Sequence, residues 1–551
     1  MRTSLLIRST AVATALACAA LGLSACKGAG NGSSNAGAGV LTIQGDAGDP
    51  TLTENFNPFS TTQLEGTRLI YEPLEIPSSV DGTYTPFLAT SFKTPTSTTL
   101  SYTLRSGVKW SDGKPFGAAD VVFTFNLLKK NAALDTTGVW AQLASVSSSG
   151  STVTMTLKSA NVPFASTIAQ VPIVPEHLWK SVTDPAKYTN TKPVGTGPFA
   201  LQKFAPTEYT FKKNGSYWNA KNIAPSQVRF PAQSSNQSTN QLDVTSGKFD
   251  WSYNFLPNVQ KTFVSRDKQH NKYWFPPGGT IAMFLNLTKS PYNDPNFRLG
   301  LSYALNRDVI AKKAVNGYTG AASLSGLILP NLQKYLDPSL PNKGLVTQST
   351  SNAMQAFAKA GYTLKGGKLT KDGKPATIKV EMPNNFSDWI AAATEMKSQL
   401  AKVGINVTLD EPQYAQYEKD IQAGTFDAAF GGFGGTGNPY TDFNNALNGK
   451  YAAPVNTPTV NNFERFKDAA VDASLSKLAA ATSSNTQMQA TYELEQYMFR
   501  NQPMILLYYG GSWGLFSTKH FTGWPSAQDA YMLPTTYNNA MLVIVSRLKK
   551  A

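Results

Sequence analysis

Near the C-terminus, Gly510-Gly511-Ser512-Trp513-Gly514 has the G-x-S-x-G spacing of a nucleophile elbow, a serine on a sharp turn that attacks an acyl carbon. The apolar run Met504 to Tyr509 supplies the preceding strand, but the rest of the constellation is missing. An elbow opens a helix and is followed by an acid and then a histidine. Here the last histidine, His520, comes eight residues after Ser512 with no Asp or Glu between, and Gly523 and Pro525 break any helical pattern beyond it. Serine hydrolysis is not expected. A second pattern, Gly432-Phe433-Gly434-Gly435-Thr436-Gly437, has the G-x-G-x-x-G spacing that lets a backbone approach a pyrophosphate at a helix N-terminus. Asn438-Pro439 and Asn444-Asn445 stand where that helix should begin, so a dinucleotide site is not expected either. The glycines read instead as a tight turn, or as room for a ligand or another backbone to come close. The three histidines, His177, His270 and His520, lie far apart, each without a second His, Cys or acid at ligand spacing. Neither a metal centre nor a cofactor is expected.

The two cysteines belong to the N-terminus. Residues 1–25 carry Arg2 and Arg8 and then the apolar run Ala11 to Leu23, the layout of a signal peptide and too short for a stable membrane span. The segment ends in Leu23-Ser24-Ala25-Cys26, which resembles the bacterial lipobox, so Cys26 is the candidate lipidation site; two acyl chains on its glyceryl group suffice for stable anchoring. Cys18 leaves with the leader, and no disulfide is expected. Residues 26–39 are nearly all Gly, Ala, Ser and Asn after the cysteine and Lys27, and read as a flexible tether. The globular part then begins near Val40, held against the extracytoplasmic face of a cell membrane.

Those residues must be positioned by a large scaffold. At 551 residues, with 41% hydrophobic and 11% aromatic, the chain is long enough for two or more lobes, each with its own core. Only 15% is charged, against about a quarter in an ordinary chain. The formal charge of +14 is spread over short pairs such as Lys129-Lys130, Lys312-Lys313 and Lys549-Lys550. A nucleic-acid footprint would cluster them, so a diffuse positive surface facing an anionic envelope is the reading, with no nucleic-acid partner. Strand alternation appears at Leu41 to Gln44, Leu100 to Leu104, Val153 to Leu157, Tyr209 to Lys212 and Ile378 to Met382. Helical spacing joins Ala118, Val121, Val122, Phe125 and Leu128. It also joins Leu301, Ala304, Leu305 and Val309 after an Asp294-Pro295 start, and Trp389, Ala393, Met396, Leu400 and Val403 after a Ser387 cap, stopped by Gly404. Interleaved strands and helices predict an α/β fold.

The segments Asn55-Phe56-Asn57-Pro58-Phe59, Tyr71-Glu72-Pro73-Leu74, Leu104-Arg105-Ser106-Gly107-Val108-Lys109-Trp110-Ser111-Asp112-Gly113-Lys114-Pro115-Phe116 and Ala119-Asp120-Val121-Val122-Phe123 carry a resemblance. They are similar, in order, to the family 5 extracellular solute-binding proteins, the oligopeptide, dipeptide and nickel receptors of ABC importers. Pro193-Val194-Gly195-Thr196-Gly197-Pro198-Phe199, Asn214-Gly215-Ser216-Tyr217-Trp218, Asn286 through Asp294 to Arg298, Tyr303-Ala304-Leu305-Asn306-Arg307 and Gly317 continue it from about residue 41 to the end. The resemblance implies a two-lobed, hinged fold of three domains: domain I at 40–78, 192–280 and 500–551, domain II at 79–191 and domain III at 281–499. It implies a receptor, not an enzyme, acting as a monomer that delivers a small solute to an ABC permease and ATPase complex. An adhesive envelope lipoprotein is the remaining alternative.

By the same resemblance the solute contacts Phe59, Ser60 and Thr61 on the first lobe and Phe433, Gly434, Gly435 and Thr436 across the cleft. Trp251, Tyr253, Asn254, Trp389 and Trp513 border it, the rings offering flat area for stacking. The family's peptide binders hold the peptide's ammonium with an aspartate in this glycine-rich segment. Residues 431–439 contain no acid here, and the nearest are Asp427 and Asp442. An oligopeptide is the first expectation because it is the commoner use of the fold, and an oligosaccharide is the alternative.

Overall fold

Burial alternates strictly along Thr99–Leu104 and Thr152–Leu157, the signature of a sheet with one face on a core. In the computed structural model, which describes residues 39–46, 50–384 and 386–551, these strands form the centre of a four-stranded antiparallel sheet, flanked by Ala89–Thr96 and Leu143–Ser149. The helix Ala118–Lys130 buries Val121, Phe125 and Leu128, the face expected from its spacing. A second four-stranded sheet pairs Val40–Thr42, in parallel, with Gln227–Pro231, which continues antiparallel to Glu208–Lys213 and Phe199–Ala205. Residues of both sheets share one apolar core, in which the rings of Phe56, Tyr209, Phe211 and Phe230 meet. The signal segment, Cys26 and the tether up to residue 38 lie outside the described residues.

The largest sheet has five strands in the order Asn406–Asp410, Thr377–Glu381, Ala428–Phe433, Pro277–Leu285 and Ile505–Gly511. Its first three strands run parallel, and Pro277–Leu285 is antiparallel to both neighbours. Successive residues of Pro277–Leu285 feed different cores: Met283 and Leu285 join Phe297, Leu301 and Met396 on one face, while Ala282 and Phe284 join Tyr417, Leu475 and Leu494 on the other. Helices thus cover both faces, the α/β arrangement the sequence predicts.

Two local readings are corrected. The helix capped by Asp294 spans only Pro295–Ala304; Leu305 is buried past its end, and Asn306 caps a separate helix, Arg307–Val315, on which Val309 is 37% exposed. Ser387 is the first residue of Ser387–Ala401 rather than its cap, which is Phe386 without a side-chain bond.

The motif residues turn out to knit the scaffold. Trp218 donates its indole N–H to the buried Glu72 at 2.9 Å, and the Arg105 guanidinium lies 3.7 Å over the Trp218 ring. Burial pushes the Glu72 carboxyl up to about 7. Gly195 and Gly197 pass so close to the backbone of Leu69 and Ile70 that any side chain there would collide. Two buried arginines, Arg298 and Arg307, donate to backbone carbonyls of Gln502 and Leu506, pinning the chain just before and within the last strand of the large sheet.

Candidate ligand-binding site

Glycines gather at one end of the large sheet. Gly278 and Gly279, Gly432, Gly434 and Gly435, and Gly510 and Gly511 occupy adjoining ends of three neighbouring strands. A side chain on Gly435 would strike the carbonyl of Gly278, and one on Gly278 would strike the hydroxyl of Ser512, so these backbones are stacked without room to spare. Gly432 faces open space instead. Ala428–Phe433 pairs with Thr377–Glu381 only at Ala428 and Ala429, so among the described residues the edge beyond Ala429 has no strand partner on that side.

The loop after this strand takes left-handed backbone angles, φ +73° at Gly434, +99° at Gly435 and +76° at Gly437. A helix does follow, Pro439–Leu447, with Asn438 accepting from the Tyr440 N–H at 3.0 Å. The expectation that no helix begins there is corrected. The position an anion would take is nonetheless occupied from within: the carboxylate of Asp442, in the helix's first turn, accepts from the Thr436 hydroxyl at 2.7 Å and its N–H at 3.2 Å. Asp442 is buried, and burial pushes its carboxyl up to about 6.

Ser512 stands on a turn between two strands, Ile505–Gly511 and Gly514–Ser517, not at the start of a helix. Its nearest histidine in sequence, His520, is paired with Asp250 at 2.9 Å. His177 and His270 likewise pair with single aspartates, Asp112 and Asp267. Among the described residues no three His, Cys, Asp or Glu side chains are placed to hold a metal ion.

The first-lobe segment lies by a cavity of about 710 Å³, whose wall includes Gln44, Thr61, Gln63, Glu65, Tyr253 and Tyr537. Tyr253 meets the Tyr537 ring edge-on at 5.1 Å, and its hydroxyl donates to the Gly511 carbonyl at 3.4 Å. One tyrosine therefore joins the cavity to the glycine-rich strand ends. Asn254 stands behind the wall, donating to the Gln44 side-chain oxygen at 2.7 Å, and the Gln44 amide donates on to Gln233 at 3.1 Å. The bond from Asn254 fixes the position of the Gln44 side chain. The acids at this wall are engaged: Glu65 pairs with Arg68 at 2.9 Å, and Asp46 accepts from the Tyr209 hydroxyl at 2.6 Å.

Several expected contact residues are core residues instead. Trp251 is 0% exposed, its ring 5.7 Å from Trp524 and its indole N–H donated to the Pro534 carbonyl. Phe433, 4% exposed, packs on Phe443, and Phe59, 5% exposed, on Trp179. The two strand residues, Trp251 and Phe433, offer no face for stacking, because the alternation that brings a strand residue near the cleft also points its side chain inward. Trp389 is half-buried among Phe386, Tyr417 and Phe430, and Trp513 among Phe255 and Phe275. Ser60 accepts from Asn55, while Thr436 lines a separate cavity of about 190 Å³ with Gly82, Tyr84 and Ser166. Of this wall, Tyr253 is among the rings expected to border the cleft, while Tyr537 and Gln44 are absent from the expected set. The signal for Tyr253 was its place two residues past Trp251, where the strand leaves the core.

Neither of the two acids nearest the glycine-rich segment in sequence is available to hold an ammonium. Asp427 precedes the strand whose far end carries the glycine loop, roughly 20 Å away at about 3.3 Å per residue, and it pairs with Lys289 at 2.7 Å. Asp442 is committed to Thr436.

Residues 83–454 match the family described as bacterial extracellular solute-binding proteins, family 5 middle. The nickel-binding periplasmic protein of Escherichia coli (strain K12) is 26% identical over 404 residues, 69% of this chain and 73% of its own. The probable peptide-binding protein YejA of Agrobacterium fabrum is 24% identical over 463 residues, 75% of this chain and 74% of its own. Among solved structures, the periplasmic oligopeptide-binding protein of an oligopeptide ABC transporter from Thermotoga maritima superimposes with a TM-score of 0.84 at 24% identity, covering 94% of this chain and 100% of that one. Its mannohexaose-bound form gives 0.75 at 25% identity, covering 93% and 99%.

Proposed function

Because the chain belongs to family 5 of the bacterial extracellular solute-binding proteins, we propose that it is the lipid-anchored receptor of an ABC importer and that its solute is a neutral oligosaccharide. Members of the family are extracytoplasmic substrate-binding proteins of ABC importers, binding receptors rather than enzymes. The observation that carries the choice of solute is the engagement of the two acids of the cavity wall and of the two acids nearest the glycine-rich segment in sequence. A buried ammonium needs a carboxylate, and Asp46, Glu65, Asp427 and Asp442 are each held by the protein's own groups. What the cavity wall presents is amides, hydroxyls and two tyrosine rings, groups that suit sugar hydroxyls and ring faces. The mannohexaose bound by a relative of the same fold supports this reading. One observation favours a second reading, an oligopeptide: the open edge of Ala428–Phe433 beyond Ala429 would accept an extended main chain as an added strand.

On this reading domain I (40–78, 192–280, 500–551) and domain II (79–191) make the first lobe, and domain III (281–499), its sheet completed by Ile505–Gly511, the second. Solute closes them about a hinge, and the closed monomer, tethered through Cys26, delivers to the permease and its ATPase. Thr61, Gln44, Tyr253 and Tyr537 contact the solute from the first lobe, and the backbone of 432–435 from the second. Calorimetric titration with cello-, xylo- and manno-oligosaccharides is expected to show binding by one class, nearly insensitive to salt because no ion pair is screened. Binding of a peptide that is lost on N-acetylation would overturn the sugar reading.

A further inference from the structure

The positive charge is less diffuse in three dimensions than along the chain. An open groove of about 820 Å³ is lined by Lys213, Lys221, Arg547, Lys549 and Lys550, with Asp529 the one acid in its wall. The last two lysines form a short strand paired with Phe521–Thr522, which brings the C-terminal end against residues 213–226. Lys213 donates to the Ile223 carbonyl and Arg547 stacks 4.3 Å over Tyr531, and among the described residues none of the five cations is in an ion pair. Five cations against one acid around a single groove repel each other, an arrangement that an anionic surface relieves.

The chain enters the described fold at the rim of this groove. The carbonyl of Gly39 accepts from the N–H of Ser226 at 2.8 Å and from its hydroxyl at 3.1 Å, and Ser226 is itself part of the groove wall. Twelve residues separate Gly39 from Cys26, and a Gly-rich chain of that length has an r.m.s. reach of about 20 Å. We propose that this groove docks on the anionic phospholipid headgroups of the membrane that holds the anchor, fixing which face of the receptor lies on the bilayer. The proposal rests on the lipoprotein reading. The tether makes docking an intramolecular event, so a weak charge attraction suffices to orient the molecule. Basic residues near an anionic surface attract it additively, and the attraction fades within a Debye length of about 8 to 10 Å.

The test mixes the full chain, produced in a bacterial host that processes lipoproteins, with vesicles of phosphatidylcholine alone or with one-third phosphatidylglycerol and measures the rate at which each lysine is acetylated by a neutral amine-reactive reagent. Lys221, Lys549 and Lys550 are expected to be protected at least threefold in the anionic vesicles, with protection lost in 0.5 M salt (about 4 to 5 Å screening length, far below the tether's reach). Lys129, Lys312 and Lys313 should react alike in both. The exposed triple variant Lys221→Glu, Lys549→Glu, Lys550→Glu, with an unchanged melting curve, should leave Lys213 equally reactive in the two vesicles. Equal protection of all lysines, or none, overturns the proposal, as does protection of the groove that appears only when a purified permease is present. Failure of the protein to partition into either vesicle instead refutes the lipid anchor, and so separates the two readings.

Discussion

Trp251 and Tyr253 sit two positions apart on one short strand, and their surroundings divide the work between them. Trp251 has no exposed surface and touches Trp524, while Tyr253 reaches both the polar cavity and the Gly511 carbonyl. Trp251→Ala is expected to cost about 3 to 5 kcal/mol of stability, as truncations of large core rings do, and to leave the solute affinity of the folded protein unchanged. Tyr253→Ala should do the reverse, losing on the order of 1 to 3 kcal/mol of binding, the range for a ring that anchors a ligand, with a small change in stability. Denaturant unfolding and calorimetry on the same preparations separate the two effects. A Trp251→Ala protein of full stability and weakened binding would show that the tryptophan, not the tyrosine, faces the solute.

At the scale of elements, the strand Ala428–Phe433, its glycine loop and the helix Pro439–Leu447 form a unit closed from inside by Asp442. Because burial raises this carboxyl from its ordinary 3.8 to about 6, the folded chain holds the proton more tightly than the unfolded one. Its contribution to stability is therefore fully present below pH 3.8 and is lost as pH rises through about 6. Asp442→Asn keeps an acceptor for Thr436 but cannot titrate. Between pH 4 and 7 the wild type should lose roughly 2 to 2.5 kcal/mol relative to this variant, the larger part of a shift worth about 1.4 kcal/mol per pKa unit. Urea unfolding of both proteins across that range measures it, and parallel pH profiles would remove the buried-carboxylate account of the loop.

Much of this level was legible in the sequence, because period-2 and period-3.6 burial depend on local spacing alone. The five predicted strands and the Ala118–Lys130 helix are present. The break at Leu305–Asn306 was not, since Leu305 stays buried and continues the apolar pattern across the end of one helix and the cap of the next. The motif residues announce the scaffold, because Glu72, Arg105, Gly195, Gly197 and Trp218 pack on one another and on the Leu69–Ile70 backbone. The cleft was less legible. Its wall is assembled from residues 44–46, 53, 61–65, 253 and 536–537, and no local pattern shows that Tyr253 rather than Trp251 turns toward it, or that Asp442 is already taken.

For the whole molecule, one place where the two proposed lobes meet is a backbone contact. A β-carbon on Gly437 would stand 2.6 Å from the Ser78 carbonyl oxygen, and one on Gly82 would stand 2.8 Å from that of Gly437. The Asn438 amide reaches the Pro163 carbonyl and the Ser166 hydroxyl, both at 3.4 Å. If closure captures the solute, these contacts exist only in the closed state, and a group that blocks them lowers affinity by depopulating it. Gly437→Ala supplies such a group, but it also strains a backbone at φ +76°. Gly107 has φ +72° with nothing within 4 Å of its would-be β-carbon, so Gly107→Ala carries the strain alone. Small-angle scattering at saturating solute should show the wild type and Gly107→Ala compacting. Gly437→Ala should stay expanded at the same concentration and bind at least tenfold more weakly, about 1.4 kcal/mol. A radius of gyration that solute leaves unchanged in the wild type would end the hinged-receptor account. Compaction of Gly437→Ala to the wild-type value would place the closing contact elsewhere.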